Sequence, residues 1–249
     1  NRDLLTIRRG NPNLRAAESM NFDLSLEFYL QPSTLLTISA FHKNVDGFAF
    51  QQISQEERQY SFYNPDTGVT ETTTGVFDVT QPQNGATLKL HGVEIDIQQR
   101  LSFLPGFLSG LSVGGNATFI SGRSVFISLD ANGNPVPREV DFRPDQSDFV
   151  GNINVGYDRG RFSAKVAYNY TGKFANSLGT GPDTDRWVDT NTNLSASMIW
   201  RFKRNGWSLF VNGINLGETG RLLYEGNRNR PIQRELASWS VSTGLNFRL

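Results

Sequence analysis

Residues 84–119, NGATLKLHGVEIDIQQRLSFLPGFLSGLSVGGNATF, contain two long alternating runs joined by a short turn. From Val93 to Phe103 every second residue is apolar, with Gln99 as the exception. The intervening positions are hydrophilic: Glu94, Asp96, Gln98, Arg100 and Ser102. Because a β-strand points successive side chains to opposite faces, one face of this strand is apolar and the other is wet. The segment therefore predicts a long strand between an apolar medium and water.

Composition narrows the class of protein. The chain has 249 residues with 24 basic and 24 acidic side chains, and this balance gives no support for a nucleic-acid partner. The 18 Phe, 7 Tyr, 4 Trp and 24 Gly residues favour an all-β fold. There is no Cys, so a disulfide framework and a thiolate metal site are both excluded.

Catalytic and metal-binding patterns are missing from the sequence. The two histidines, His42 and His91, lie far apart and lack metal-ligand spacing. No Gly-x-Ser-x-Gly elbow or other nucleophilic arrangement is present. We therefore expect a protein without a metal site, a cofactor or enzymatic activity.

The spacing of the strands is the strongest organisational signal. Nine alternating segments occur, at about 18–30, 35–50, 87–103, 110–121, 147–158, 161–172, 188–202, 206–216 and 237–249. The first, third, fifth and seventh segments end at short turns, QPST, LPGFLSG, DRG and KRNG, each with Gly or Pro. The other connections are long and polar: 51–86, 122–146, 173–187 and 217–236. Such strict alternation predicts an antiparallel up-and-down sheet with all long loops at one end, as in outer-membrane barrels.

Aromatic residues are expected to mark the two membrane interfaces, where a ring with one dry and one wet end is favoured. Those near the short turns include Phe28, Phe103, Tyr157, Phe162, Trp200, Phe202 and Trp207. Those toward the long loops include Trp239, with Phe41, Phe119, Phe149, Tyr168 and Tyr170. Mainly aliphatic residues and Gly lie between these two groups.

Backbone groups in hydrocarbon must all be hydrogen-bonded, which only a closed barrel achieves with strands. Single-chain bacterial barrels have an even number of strands. Nine strands therefore predict the C-terminal part of a larger transmembrane β-barrel, with the apolar strand faces toward lipid and the polar faces toward a wet lumen.

Four segments resemble the C-terminal barrel region of TonB-dependent outer-membrane receptors, in particular the branch abundant in Caulobacter- and Xanthomonas-type proteobacteria. They are GNPNLRAAESMNFDLSLEFYLQPSTLLTISAFHKNVDGF, residues 84–119, FVNGINLGE and GNRNRPIQRELASWSVSTGLNFRL. The likeness spans nearly the whole chain in matching order. One departure is the final residue, Leu249, where such barrels commonly end on an aromatic, although the alternation before it is intact.

The resemblance implies that residues 1–249 are a partial barrel domain, strands 14 to 22 of a ~22-stranded barrel whose lumen holds a plug. It also implies a location in the outer membrane of a Gram-negative bacterium and active import of a scarce large nutrient. An oligosaccharide is the first expected substrate and a ferric siderophore the second. The implied partners are the TonB complex, acting through an N-terminal region, and outer-membrane lipid and lipopolysaccharide.

Two groups of residues are candidates for contact with the substrate. Loop side chains that could stack on or attract a ligand are Tyr60, Phe62, Tyr63, Trp187, Tyr224, Arg228 and Arg230. Inward side chains that could line the lumen are Glu94, Asp96, Arg100, Lys165 and Arg201. For the aromatic residues the alternative is packing of loops on one another. For the charged residues it is solvation of the loops and lumen, pairing with the plug or, for the arginines, contact with lipopolysaccharide phosphates.

Three other functions remain open from the residues alone. A passive porin would need no plug, and an outer-membrane enzyme or adhesin would need a catalytic cluster or a very long ordered loop. A soluble β-sandwich carbohydrate-binding protein would be extracted without detergent, whereas a barrel would require it.

Overall fold

The computed structural model describes residues 5–30, 33–85, 87–129, 135–203 and 206–247. Parts of the predicted QPST and KRNG turns, residues 130–134 of the predicted connection 122–146, and the terminal Leu249 lie outside these residues. Within them the strands, numbered in chain order, are β1 (Thr6–Arg8), β2 (Glu18–Leu30), β3 (Thr34–Asp46), β4 (Ala49–Asn64), β5 (Val69–Asn84), β6 (Thr87–Arg100), β7 (Leu111–Leu129), β8 (Pro135–Val140), β9 (Phe149–Arg159), β10 (Phe162–Thr171), β11 (Phe174–Ser177), β12 (Arg186–Val188), β13 (Asn191–Arg201), β14 (Trp207–Ile214), β15 (Arg221–Glu225), β16 (Pro231–Glu235) and β17 (Ser240–Phe247).

Two short 3₁₀ helices, Gly106–Gly110 and Pro182–Thr184, interrupt this all-β order. Among the residues that the structure describes, no helix has the length and apolar character needed to cross a bilayer.

One large sheet contains the nine strands that the sequence predicts. Its hydrogen-bonded order is β2-β3-β6-β7-β9-β10-β13-β14-β17, which is also their order in the chain, and β8 pairs with an extension of β7. Every pairing between neighbours is antiparallel. The up-and-down arrangement predicted from the alternating turns and loops is thereby confirmed. The sheet is not closed, because within the described ranges β2 and β17 are its two edges.

The loops differ from the prediction, which treated 51–86, 122–146, 173–187 and 217–236 as irregular connections. β4 and β5 instead form a long hairpin to which β1 adds a short parallel strand. A four-stranded sheet, β11-β12-β15-β16, brings together the last two long loops. β7 runs eight residues past its predicted end at 121, because β8 pairs with the extension and satisfies its backbone groups. We call these two smaller sheets, with β8, the loop layer.

Side chains separate cleanly onto the two faces of the large sheet. Ile95 lies in register between Ile38 on β3 and Ala117 on β7, whereas Glu94 lies between Ser39 and Thr118. Residues directly opposite one another in an antiparallel sheet share a face. Large apolar side chains stay exposed along the first face, which we call the apolar face: they include Leu24, Leu26, Ile95, Ile153, Val155 and Val166. A continuous exposed apolar surface of this kind marks contact with another apolar phase.

Two belts of aromatic rings cross the apolar face. Near the turns, Phe162 lies between Tyr157 and Trp200, with ring centroids 5.8 Å and 6.1 Å away. Near the loops, the ring centroid of Phe149 is 4.8 Å from that of Phe119 and 5.5 Å from that of Tyr170.

The distance between the two aromatic belts can be estimated along β10. Phe162 and Tyr170 are on the same face of β10, and a rise of ~3.3 Å per residue separates them by ~26 Å along the strand. The other predicted interface aromatics are exposed: Phe28, Phe103, Phe202, Trp207 and Trp239. Phe41 is an exception, since its register opposite Gly92 places it on the polar face, so its expected place in the loop-side group was wrong.

The buried core lies in the loop layer rather than in the large sheet. Phe126 contacts Phe48 and Phe50 with ring centroids 5.4 Å and 4.6 Å away, and Leu178 completes the cluster. Residues 47–50, predicted to continue the second strand, thus leave the large sheet so that Phe48 and Phe50 can pack away from water.

Candidate ligand-binding site in the loop layer

Backbone hydrogen bonds join the two sheets of the loop layer. The Ile53 amide donates to the Leu178 carbonyl at 2.8 Å, and the Leu178 amide donates to the Gln51 carbonyl at 3.1 Å. The side chains of Arg186 and Asp78 add an ion pair of 2.6 Å between β12 and β5. The hairpin β4–β5 is therefore held against the four-stranded sheet.

A groove of about 660 Å³ lies between these two sheets. Most of its lining is polar, and it includes Arg8, Arg9, Gln51, Thr80, Asp145, Asn176, Ser177, Arg186 and Gln233. Among the described residues, none of those that line it is aromatic. The arrangement suits a ligand that offers several hydrogen-bond acceptors.

Arg186 is the most constrained cation in the groove. Its Nη2 donates to Asp78, its side chain is 19% exposed, and its Nε is buried without a hydrogen-bond partner. Buried N–H groups in proteins are nearly always paired with protein or water. The Nε of Arg186 is therefore a donor that an oxygen atom of a ligand or water could satisfy.

Arg8 and Arg9 supply further positive charge on the same side. Arg9 donates to Glu56 at 2.8 Å, which lowers the pKa of Glu56 and raises the pKa of Arg9. No carboxylate of the described residues lies within ion-pair distance of Arg8. Among the described lining residues, Arg8 is thus a cation without an ion-pair partner, and Asp145 is a carboxylate that accepts a hydrogen bond from Asn176 at 3.2 Å.

Three of the predicted ligand-contacting aromatics lie on the hairpin, beyond the groove. Tyr60 contacts Phe62 and Phe77, with ring centroids 6.1 Å and 5.5 Å away. Phe62 is exposed, and Tyr63 is 65% exposed. Phe62 and Tyr63 therefore offer ring surface to solvent.

Trp187 and Tyr224 face each other across β12 and β15 and support the loop layer. The Trp187 ring packs against Phe142 at 4.8 Å, with the Lys173 ammonium 5.3 Å from its centroid. Tyr224 is 6% exposed, and its burial, with a smaller contribution from the Asp189 carboxylate, raises the pKa of its hydroxyl. In this arrangement Tyr224 has almost no surface available to a ligand.

Arg228 and Arg230 are engaged by other loop residues rather than free. Arg228 pairs with Asp189 at 2.8 Å, and Arg230 pairs with Glu225 at 2.9 Å and donates to the Asp183 carbonyl at 3.0 Å. Both guanidinium groups remain exposed to solvent. Their contacts join the last two loops, and binding of a ligand or of lipopolysaccharide by these residues stays a prediction.

All five residues predicted to line the lumen lie on the polar face of the large sheet. Asp96, Arg100 and Lys165 border a groove of about 530 Å³ near the short turns, and Glu94 borders a smaller groove beside it. Arg201 donates to the Ser163 hydroxyl at 2.8 Å. Charges of both signs thus cover this face, as a water-filled space requires.

One contact was not visible in the sequence. His42 and His91, 49 positions apart, face each other across β3 and β6 with ring centroids 6.5 Å apart. Only the register of the two strands, set on either side of the long hairpin, could have revealed this pair. In the described part of the chain, no group of three or more His, Cys, Asp or Glu side chains is arranged for a metal ion.

Solved structures with the same fold span several transport proteins. The siderophore receptor PirA from Acinetobacter baumannii is 14% identical, with a TM-score of 0.54 over 96% of this chain and 33% of that one. The ferric-catecholate import receptor Fiu from E. coli K12 is 14% identical, with a TM-score of 0.57 over 95% of this chain and 28% of that one. The copper transporter OprC is 15% identical, with a TM-score of 0.55 over 96% of this chain and 33% of that one.

These likenesses establish the fold, and the chain spans 28% to 33% of the length of the three structures. No curated protein gives a significant sequence match. The family model described as "TonB dependent receptor-like, beta-barrel" matches residues 2–216, which confirms the resemblance noted in the sequence. This chain therefore belongs to the TonB-dependent receptor β-barrel family.

Proposed function

We propose that this chain forms part of the barrel wall and the loop layer of an outer-membrane receptor that imports a scarce, large nutrient with energy delivered through TonB. Members of its family are transporters of the Gram-negative outer membrane and are not enzymes. One observation carries the proposal: a nine-stranded antiparallel sheet whose apolar face is exposed between two aromatic belts while its other face is polar. In the receptor the apolar face contacts lipid, and Glu94, Asp96, Arg100, Lys165 and Arg201 line the transport path.

The groove of the loop layer is the proposed first contact with the nutrient. Three arginines line the groove against one carboxylate, Asp145. Arg8, which has no ion-pair partner among the described residues, and the unpaired Nε of Arg186 favour a ligand with carboxylate, phosphate or catecholate oxygens. The absence of aromatic rings from the lining disfavours stacking on sugar rings. We therefore place an anionic metal chelate of the siderophore class ahead of an oligosaccharide, which reverses the order expected from the sequence.

An oligosaccharide remains the second candidate because of the hairpin. Phe62 and Tyr63 expose their rings on β4, where a sugar could stack. The two candidates use different surfaces of the loop layer, so variants can separate them.

The transport class is tested with the complete gene product. The protein should partition into the outer-membrane fraction and shift in gel mobility on boiling. Uptake of radiolabelled ferric hydroxycarboxylate or ferric catecholate chelates, with neutral oligosaccharides in parallel, should stop when the tonB gene is deleted. Uptake that persists without TonB at an unchanged rate would contradict active import and favour a passive porin.

The chemistry of the groove is tested by Arg8→Gln. Loss of one charge-assisted hydrogen bond, worth ~1.5–3 kcal/mol, should weaken binding of an anionic chelate about tenfold or more. Arg221→Gln is the matched control, since Arg221 is exposed and paired with Glu235 outside the groove lining. Binding is measured by fluorescence titration of the purified receptor. Equal affinities for both variants would contradict the assignment of the groove, and Tyr63→Ala would then test the hairpin for sugar binding.

A further inference from the structure

His42 and His91 form a cross-strand pair on the apolar side of the large sheet. They are directly opposite in the register of β3 and β6, and their rings are nearly parallel, with planes 20° apart. Both side chains are exposed. They are also the two histidines of the whole chain. A sheet that otherwise presents aliphatic and aromatic groups on this face thus has two imidazoles side by side.

The position of the pair makes it accessible to water. His91 is opposite Ser121 on β7, which follows the belt residue Phe119 by one step on the same face. The next position toward the loops on β6 is Lys89, opposite Asn44 and Arg123. The pair therefore lies at the loop-side edge of the apolar face, where apolar residues give way to charged ones.

The ring nitrogens of the pair are available as ligands. In the described ranges, no hydrogen bond or ion pair engages either imidazole. Asn44, two residues from His42 on the same face, has a buried Oδ1 without a hydrogen-bond partner. This oxygen is an unsatisfied acceptor beside the pair, and a buried acceptor in that state favours a nearby donor.

We propose that His42 and His91 together bind one divalent transition-metal ion at the outer surface of the barrel. Imidazole nitrogens favour Cu²⁺, Ni²⁺ and Zn²⁺ over Ca²⁺ and Mg²⁺. Metal–nitrogen bonds of ~2.0–2.1 Å place two such rings with centroids roughly 5–6 Å apart, close to the 6.5 Å of the pair. Because the nitrogen lone pairs lie in the ring planes, the two exposed rings turn from their nearly parallel arrangement so that one nitrogen of each points at the ion. Water would complete the coordination, and a metal-bound water could donate to Asn44. The bound ion would link β3 to β6.

This site is separate from the groove in the loop layer and from the transport path on the polar face. The first charged residue beyond His91 on the same face of β6 is Lys89, whose positive charge opposes a cation. Lys89→Gln should therefore increase the affinity for the metal ion, a change opposite to the loss expected for the histidine variants. A binding site made of unrelated surface groups would not respond in this way.

The test uses the complete receptor, purified in detergent and freed of metals by chelation. Titration calorimetry with CuCl₂ and ZnCl₂ should show one site, and His42→Gln or His91→Gln should each weaken it by roughly 100-fold because the chelate is lost. Electron paramagnetic resonance of the Cu²⁺ form should change from two coordinated nitrogens to one. Ser121→Ala is the control, because it changes a residue directly opposite His91 and leaves both imidazoles in place.

Three results would overturn the proposal. They are the absence of Cu²⁺ binding to the unaltered receptor, unchanged Cu²⁺ affinity in either single histidine variant, and a two-nitrogen spectrum that survives both substitutions. Gel mobility before and after boiling checks that each variant is folded. A variant that fails this check is replaced by the Asn substitution at the same histidine.

Discussion

An arginine in place of Ile97 should destabilise the folded barrel by about 2–4 kcal/mol, the cost of a cation in the middle of a lipid-facing band. Ile97 is 43% exposed and lies in register between Leu36 and Gly115. Gly115 is halfway along β7 between the belt residue Phe119 and the position opposite Tyr157 in the other belt. The arginine has no carboxylate partner on that face and would have to leave water for hydrocarbon. Reversible urea unfolding of the complete protein in lipid vesicles measures the difference in free energy of unfolding.

Gln98→Arg is the matched control for this substitution. Gln98 lies on the same strand but on the polar face, near Asp96, which can accept a hydrogen bond from the new guanidinium. Its expected effect is within about 0.5 kcal/mol, as for most surface substitutions. Equal penalties for the two variants would mean that the apolar face does not contact lipid.

Asp185→Ala should cost the loop layer about 3–5 kcal/mol, because it removes one partner of a buried ion pair. Asp185 accepts a hydrogen bond of 2.9 Å from the Arg138 guanidinium and one of 3.1 Å from the Gly179 amide. The two charged side chains are 2% and 16% exposed. Without the carboxylate, the Gly179 amide loses its partner and the guanidinium keeps only the Gly179 carbonyl, at 3.3 Å, while both remain largely shielded from water.

Hydrogen exchange of the backbone amides in residues 173–188 measures this local loss. Exchange there should accelerate, while that of the large sheet, for example in β10, should stay the same. Glu235→Ala is the control, since its pair with Arg221 spans 3.7 Å and is exposed, so its loss should cost less than about 1 kcal/mol. If the two variants had equal exchange rates, the Arg138–Asp185 pair would not hold the loop layer together.

The large sheet could be predicted because its environment imposes a simple rule on the sequence. A strand with lipid on one side and water on the other must alternate over its whole length, since a slip of one residue exchanges the faces. This alternation of apolar and polar residues is visible in the sequence at 93–103 and at 162–170. It also explains why the number and order of the nine strands agree with the prediction.

The hairpin β4–β5 escaped prediction because no such rule applies outside the bilayer. Its sequence, AFQQISQEERQYSFYN followed by VTETTTGVFDVTQPQN, places polar side chains on both faces. The strands are specified by cross-strand pairing, which the order of residue types does not reveal. The same holds for β8, which depends on the extension of β7.

Residue type was a poor guide to the role of the loop side chains. Tyr224 and Trp187 have the chemistry of ligand-binding aromatics, yet their partners are other loop residues. Arg186 was not among the predicted candidates, yet it lines the groove and pairs with Asp78, 108 positions away in the sequence. Such contacts arise from the docking of the two loop sheets, and nothing local in the sequence encodes them.

β7 has a mechanical consequence for the mouth of the barrel. It is one uninterrupted strand of 19 residues that carries Phe119 in the wall and Phe126 in the loop core. Its ladder with β6 continues to Val125, and the ladder with β8 begins at Ser124, so the strand has no joint between the two regions. β7 is therefore rigid across both regions, and the β7–β8 ribbon cannot rotate about a hinge without breaking ladder hydrogen bonds. A movement at the mouth that keeps these bonds would have to come from the other segments of the loop layer.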